Sequence, residues 1–139
     1  MLVKIFSGAV SGIEATTITI EVNILWGAKF IIVGLPDNAV KESQQRVDSA
    51  LRNIGSKIPG KRIIVNLAPA DVKKEGSAYD LPLAVGILAA NEEIPATELP
   101  HFAMLGELSL DGSLLAVKGV LPIAINAKAE GFSLSLIHI

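Results

Sequence analysis

The chain has 139 residues, of which 50% are hydrophobic and 19% are charged, with a net charge of −2 and no cysteine. A chain of this length buries roughly two-thirds of its unfolded surface in one core, so we expect a single globular domain. Without cysteine the chain can form neither disulfides nor thiolate metal sites. The absence of cysteine fits a reducing cytoplasm, and because no apolar run approaches the roughly 20 residues that cross a bilayer, we expect no membrane partner.

The charges are segregated along the sequence. Between residues 41 and 74, eight basic side chains stand against three acidic ones, a net charge of +5, whereas from Glu75 onward two basic stand against eight acidic ones, a net charge of −6. A basic face can meet nucleic acid or an acidic partner. This block lacks the interleaved aromatic residues on which bases stack, so a solvated helix with its loops is the simpler interpretation.

The first third of the chain has the alternating pattern of β-strands. We predict strands over residues 2–10 and 13–25, separated by Ser11-Gly12, and a third strand over residues 30–33. Trp26 is interpreted as a packing residue at a strand end rather than as a ligand platform.

A helix is predicted after Asp37 and Asn38, either of which can cap its N-terminus. Its predicted buried face consists of Val40, Val47, Leu51 and Ile54, and its predicted outward face of Lys41, Gln44, Gln45 and Asp48. Gly55 is the residue type expected at the C′ position, just after a helix end. A strand over residues 62–67 follows.

A second helix, over residues 81–90, is apolar on almost all sides and is therefore predicted to be buried. Ser77 and Asp80 are predicted to cap it, and Tyr79 to lie half-buried at its start. A strand over residues 103–110, a turn at Asp111-Gly112, a strand over residues 114–117 and a helix from Gly119 to about Gly131 complete the chain. This order predicts an α+β domain with helices packed on a mixed sheet.

The segment Gly55-Ser56-Lys57-Ile58-Pro59-Gly60-Lys61-Arg62 has the spacing of a phosphate-binding loop up to its lysine. Arg62 stands where such a loop needs a hydroxyl for Mg²⁺. A helix precedes this segment and a strand follows it, which is the reverse of the context in which helix N-terminal amides meet phosphates. We therefore reject a nucleotide site here.

A family resemblance is carried by several motifs: Val33-Gly34-Leu35-Pro36-Asp37, residues 41–46, Val65-Asn66-Leu67-Ala68-Pro69-Ala70-Asp71, Lys74-Glu75-Gly76-Ser77-Ala78-Tyr79-Asp80-Leu81-Pro82, residues 106–112 and Lys118-Gly119. They resemble the ComM/YifB family of Mg-chelatase-like, ChlI-related AAA+ ATPases, over residues 1 to about 132. The resemblance implies the N-terminal domain of such a protein, with the fold of the Lon proteolytic domain and of the second domain of ribosomal protein S5. In the parent it implies a hexameric motor that binds ATP and Mg, acts on DNA branch migration in natural transformation, and carries its ATPase module after this domain.

The Lon likeness also implies where a peptidase would carry its nucleophilic Ser and its Lys base. Laid on that pattern, Ala78 occupies the nucleophile position and Leu121 the base position, so both are vacant and we predict a non-catalytic domain that binds no cofactor or metal. The alternative is an active Ser-Lys peptidase that uses Ser77 and Lys118, each displaced from the family position.

A domain without a catalytic centre can instead contact a neighbouring subunit, DNA or an adaptor. The candidate interaction surface consists of Lys41, Gln44, Gln45, Arg46, Lys73, Lys74 and Glu75, chosen for their charge and polar donors. The expected partners are further copies of the parent in its hexamer and, as a possibility, DNA.

Residues 1–133 are predicted to form this domain, truncated at its C-terminal end, with the ATPase module absent. Residues 134–139, which include His138, depart from the family pattern and resemble the translated transposon end of a sequencing adapter. We interpret them as a non-native tail; a genuine apolar strand is the alternative.

Overall fold

The computed structural model describes residues 1–56, 58 and 60–135. Its strands are β1 (Leu2–Ser11), β2 (Glu14–Trp26), β3 (Phe30–Val33), β4 (Lys61–Ala68), β5 (Phe102–Met104), β6 (Glu107–Leu108), β7 (Leu114–Leu115) and β8 (Ser133–Ser135). Its helices are α1 (Asn38–Asn53), α2 (Asp80–Ala90) and α3 (Val120–Ala129), with a short 3-10 helix at Leu99–His101.

Six strands form one mixed sheet in the order β3-β4-β2-β1-β5-β8, and β6 and β7 form a separate hairpin. The central strands β1, β2 and β4 pair antiparallel, whereas β3 joins β4, and β5 and β8 join β1, in parallel. The α+β class with a mixed sheet, predicted from the order of the elements, is confirmed.

Helices cover both faces of the sheet. At Gly86 of α2, an added Cβ would lie 2.8 Å from Cγ2 of Val22, so this helix packs directly on the inward-facing side chains of β2. At Gly8 of β1, an added Cβ would lie 2.7 Å from Cγ2 of Ile123, so α3 packs equally closely on the opposite face. The two glycines allow helix and strand backbones to approach where any side chain would separate them.

The predicted strands and helices are present, with two differences in detail. Asp37 caps α1 as predicted, because its carboxylate accepts a hydrogen bond of 2.7 Å from the amide of Val40. Ile54, which we expected on the buried face of α1, is the exposed residue at the helix end. The single strand predicted over residues 103–110 is divided into β5 and β6, because Gly106 leaves the sheet to bond with the start of α2.

The segment over residues 55–62 begins after α1 and ends within β4, so its helix-then-strand context is the predicted one. Lys57 and Pro59, which belong to that motif, lie outside the described residues, as do residues 136–139 with His138. Within the predicted tail, the backbone of residues 134 and 135 belongs to β8, which pairs in parallel with β5.

Candidate functional site

Two adjacent clefts open where the loop before α2 meets the segment before α3. Their volumes are about 510 Å³ and 230 Å³, and Glu75, Ala78 and Lys118 line both of them. The larger cleft is also lined by Asp37, Gly76, Ser77, Ala116 and Val117. The three shared residues make the two clefts one continuous candidate site.

The positions predicted for peptidase chemistry are only partly brought together. Ser77 and Lys118 both line the larger cleft, and Ala78 lines both clefts. Leu121 lies on the exposed side of α3, with 71% of its surface in solvent, and lines neither cleft. The structure therefore groups Ser77, Ala78 and Lys118 and leaves Leu121 apart from them.

The turn that leads into the site is tied to the start of α1 by Asp37. One carboxylate oxygen of Asp37 caps the helix, and the other accepts a hydrogen bond of 3.2 Å from the amide of Gly76. The Asp37 amide in turn donates to the carbonyl of Lys74 over 3.0 Å, and the Lys74 amide donates to Leu35. Two motifs that lie about 40 residues apart in the sequence thus form one hydrogen-bonded unit beside the cleft.

Lys74 was predicted to lie on the interaction surface, and this prediction is wrong. Its side chain is completely buried, and its ammonium group donates a hydrogen bond to the carbonyl of Pro69. Burial lowers the pKa of Lys74, and the charge of nearby Asp71 opposes that shift. The sequence suggested exposure because Lys73 and Lys74 stand together, but only the first of them points outward.

The backbone of Ala78 is fixed by the loop between β5 and β6. The amide of Gly106 donates to the carbonyl of Ala78 over 2.8 Å, and the carbonyl of Gly106 accepts from the amide of Leu81 over 3.0 Å. An added Cβ at buried Gly106 would lie 3.0 Å from the side chain of Leu114, so a substituent here would have to displace that side chain. The backbone of Ala78 is therefore fixed beside the clefts, and its side chain is a methyl group.

A buried ionic cluster surrounds Asp80, two residues after Ala78. The Asp80 carboxylate is inaccessible to solvent and accepts hydrogen bonds from Ser43 Oγ (2.5 Å), Arg46 Nε (2.6 Å), Arg46 Nη2 (3.1 Å) and the amide of Leu108 (3.0 Å). These bonds raise the pKa of Arg46, chiefly through the hydrogen bond with Asp80. The cluster joins α1, α2 and β6 at one point.

The cluster corrects two predictions. Arg46, placed by the sequence on the interaction surface, turns inward to Asp80, and its side chain is only 20% exposed. Asp80 and Ser77 were predicted to cap α2 with their side chains, but Tyr79 is the N-cap residue and no side chain caps this helix. Asp80 is instead the first residue of α2, and its carboxylate is directed across to Arg46 of α1.

Tyr79 is more deeply buried than the half-buried side chain that we predicted. Its hydroxyl donates a hydrogen bond of 3.2 Å to the carbonyl of Gly8 in β1. Burial raises the pKa of Tyr79, and the negative charges of Asp37 and Glu75 raise it further. This aromatic side chain fixes the start of α2 to the sheet and remains neutral at physiological pH.

The rest of the predicted interaction surface is accessible. Lys41 and Gln45 are exposed on α1 and Gln44 is half-buried beside them. Lys73 and Glu75 are also exposed, and they form an ion pair of 3.4 Å with each other. The predicted surface thus divides into an α1 patch and a separate pair beside the clefts.

Trp26 was predicted to pack at a strand end, and this prediction is wrong. It ends β2 with 88% of its surface exposed, and the Lys61 ammonium lies 5.0 Å from the centroid of its ring. The alternating pattern correctly predicted the strand, but it could not show that the side chain of its last residue is exposed.

Within residues 1–56, 58 and 60–135, no group of three or more His, Asp or Glu side chains is arranged to hold a metal ion. Among the helices of that same part of the chain, none combines the length and the apolarity needed to span a membrane.

Comparison with known proteins places this arrangement in a family. The sequence model of the family described as subunit ChlI of Mg-chelatase matches residues 20–138. Competence protein ComM of Haemophilus influenzae is 48% identical over 128 residues, which cover 91% of this chain and 25% of that protein. The protein YifB of Escherichia coli is 45% identical over 124 residues, 88% of this chain and 24% of that protein.

A weaker similarity connects the chain to a peptidase. The Lon protease of Clostridioides difficile is 28% identical over 143 residues, which cover 94% of this chain and 18% of that protein. The chain spans about a quarter of the length of its ComM and YifB relatives. The similarity to these longer proteins therefore concerns one part of each of them.

Proposed function

We propose, from the premise that the chain belongs to the family of subunit ChlI of Mg-chelatase, that it is a non-catalytic, Lon-like accessory domain of a larger ATPase. The observation that supports this proposal is the kind of residue at position 78, where the two clefts meet. Ala78 lines both clefts and its backbone is fixed by Gly106, yet its side chain offers no nucleophile. A cleft whose fixed position 78 carries no reactive group supports a role in contact rather than in cleavage.

The larger protein is proposed to be a cytoplasmic AAA+ ATPase that binds ATP and Mg, assembles as a hexamer and drives DNA branch migration. The name of the Haemophilus relative, competence protein, supports a role in natural transformation. In that setting the domain would contact a neighbouring subunit, DNA or an adaptor through Lys41, Gln44, Gln45, Lys73 and Glu75. Arg46 and Lys74 are withdrawn from this surface because both are engaged inside the fold.

One observation favours a second candidate, a peptidase that uses Ser77 and Lys118. Both residues line the larger cleft, so a hydroxyl and an amine face one space. Ser77, however, lies one residue before Ala78, the position that the Lon likeness assigns to the nucleophile.

The two candidates differ in one measurement, the cleavage of a fluorescently labelled unfolded protein by the purified chain. We expect no turnover above the buffer rate from the unmodified chain, from Ser77→Ala or from Lys118→Met. Turnover that disappears in both variants, while circular dichroism shows them folded, would establish the peptidase and refute the accessory role. Turnover that persists in both variants would indicate a contaminating protease, and the accessory role would stand.

A further inference from the structure

The strand β3 lies at one edge of the six-stranded sheet. It pairs with β4 on one side and ends the strand order on the other. Its residues, Phe30–Val33, are all apolar and include no charged residue, no proline and no bulge. Native edge strands usually carry one of these devices, which prevent pairing with another chain. β3 therefore lacks the usual protection of an edge strand.

The hydrogen bonds to β4 show which backbone groups of β3 point away from the sheet. The carbonyl of Lys29 accepts a hydrogen bond of 2.8 Å from an amide of β4, so position 29 is directed towards that strand. Because this direction alternates along a strand, Ile31 and Val33 also bond to β4. The backbone groups of Phe30 and Ile32 then point outward. Among the described residues, no hydrogen bond outside the β3-β4 ladder reaches them, so two N–H and two C=O groups are available at this edge.

We propose that β3 pairs antiparallel with β3 of a second copy of the chain, about a twofold axis at Ile31. In this register Phe30 of each copy lies opposite Ile32 of the other, and all the outward groups of both strands form hydrogen bonds. A second copy presents these groups at the matching spacing, because a twofold contact brings identical surfaces together. Lys29 lies opposite Val33 of the other copy, so the register sets no like charges against each other.

The side chains next to the axis support the same register. Ile31 and Val33 align with Ile64 and Asn66 of β4, which alternate with buried residues and so point to the less buried face of the sheet. The twofold axis sets Ile31 against its own copy as a non-hydrogen-bonded pair, with Cα atoms about 4.5 Å apart. This apolar pair adds to the main-chain bonds. The contact has far fewer than the roughly 20–30 residues a side of a stable interface, so we expect a weak dimer.

This inference does not rest on the proposed function. None of the residues Phe30–Val33 lines the clefts around Ala78. A twofold contact cannot close a ring of six by itself, so it is distinct from the proposed hexamer of the longer protein. A monomeric chain would leave the accessory role in place, and peptidase activity in the clefts would leave the β3 contact in place.

Because the chain has no cysteine, a single introduced thiol can locate the axis. Ile31→Cys places two thiols at a pair that a disulfide can span, since Cα atoms about 4.4–6.8 Å apart are suitable. Val33→Cys is the matched control, on the same strand and the same face, but its two copies would lie about 14 Å apart. After mild oxidation, non-reducing electrophoresis should show at least about five times more disulfide dimer for Ile31→Cys. Equal yields at the two positions, or no dimer at position 31, would overturn the proposal.

Sedimentation equilibrium of the unmodified chain tests the association itself. Between about 10 µM and about 1 mM protein, we expect the weight-average mass to rise from 14.6 kDa towards twice that value. A mass that stays at that of the monomer over this range would overturn the proposal.

Two lysine substitutions then test whether the association depends on the edge. Ile31→Lys sets like charges directly opposite each other and is expected to weaken the dimer at least about tenfold. Leu25→Lys makes the same charge change on the same face, two strands away from the edge, and is expected to change the affinity less than about twofold. Circular dichroism checks that both variants are folded. Equal weakening by the two substitutions would contradict pairing through β3.

Discussion

The segment over residues 74–80 is buried at its two ends and open to solvent in its middle. Lys74 and Asp80 are completely buried and hydrogen-bonded inside the fold, whereas Ser77 and Ala78 between them line open clefts. The polar groups that hold the segment in place are therefore distinct from the positions at which chemistry would occur. The contacts that shape the segment do not involve the side chain of Ala78, so that side chain can vary without loss of those contacts.

The largest effect is expected when the charge of buried Lys74 is reversed and compared with the same change at exposed Lys73. Lys74→Glu places a carboxylate against the Pro69 carbonyl in a site without solvent, and we expect it to lower the free energy of unfolding by about 5 kcal/mol or to prevent folding. Lys73→Glu, on the exposed neighbour, should change it by about 0.5 kcal/mol or less. Urea unfolding measures both.

If Lys74→Glu does not fold, Lys74→Met gives a milder version of the same test. It removes the side-chain donor to the Pro69 carbonyl, which keeps only the longer hydrogen bond of 3.3 Å from the Val72 amide, and we expect a loss of about 1–3 kcal/mol. Equal effects at positions 73 and 74 would contradict the distinction between a buried lysine and an exposed one.

The second test concerns the other end of the segment. Asp80→Ala removes the acceptor of Ser43, Arg46 and the Leu108 amide, and we expect it to lower the free energy of unfolding by about 3 kcal/mol. The control is Asp48→Ala, which removes an exposed ion pair to Arg52 worth about 0.5 kcal/mol. A loss at Asp80 no larger than that at Asp48 would show that the buried cluster does not stabilise the fold.

The smallest effect is expected at the β6-β7 hairpin, where the polar contacts are fully exposed. Hydrogen bonds from Ser109 and from the Ser113 amide lower the pKa of Asp111 from 3.8 to about 2. Because the folded pKa is lowered, the associated stability is present above about pH 4 and is lost as pH falls through about 2. In Ser109→Ala the pKa should move back towards 3.8, as followed by NMR of the carboxyl carbon. An unchanged pKa would assign the shift to another cause.

Local patterns were sufficient for most of the fold. Alternation along β1 and β2, the Asp37 cap and the apolar run of α2 predicted the elements, because each depends on neighbours in the sequence. Gly106 was not predicted to interrupt a strand, since its partners Ala78 and Leu81 lie about 25 residues earlier.

The side-chain roles at the candidate site were harder to predict for the same reason. Arg46 and Asp80 are polar residues whose spacing fits an outward helix face and a cap, and only the packing of α1 beside α2 shows that they meet. Trp26 needed the opposite correction, since a residue predicted to pack at the end of β2 is almost fully exposed there. In each case the deciding contact, or its absence, lies between elements distant in sequence.

The close approach at Gly86 has a mechanical consequence for the clefts. Gly86 sets the height of α2 above the sheet, and α2 begins at the segment that forms the cleft wall. A methyl group at this position would press on Val22 and push the middle of α2 away from the sheet, which would also shift its first turn. The cleft wall beside Ala78 thus depends on a glycine eight residues away that does not itself line the clefts.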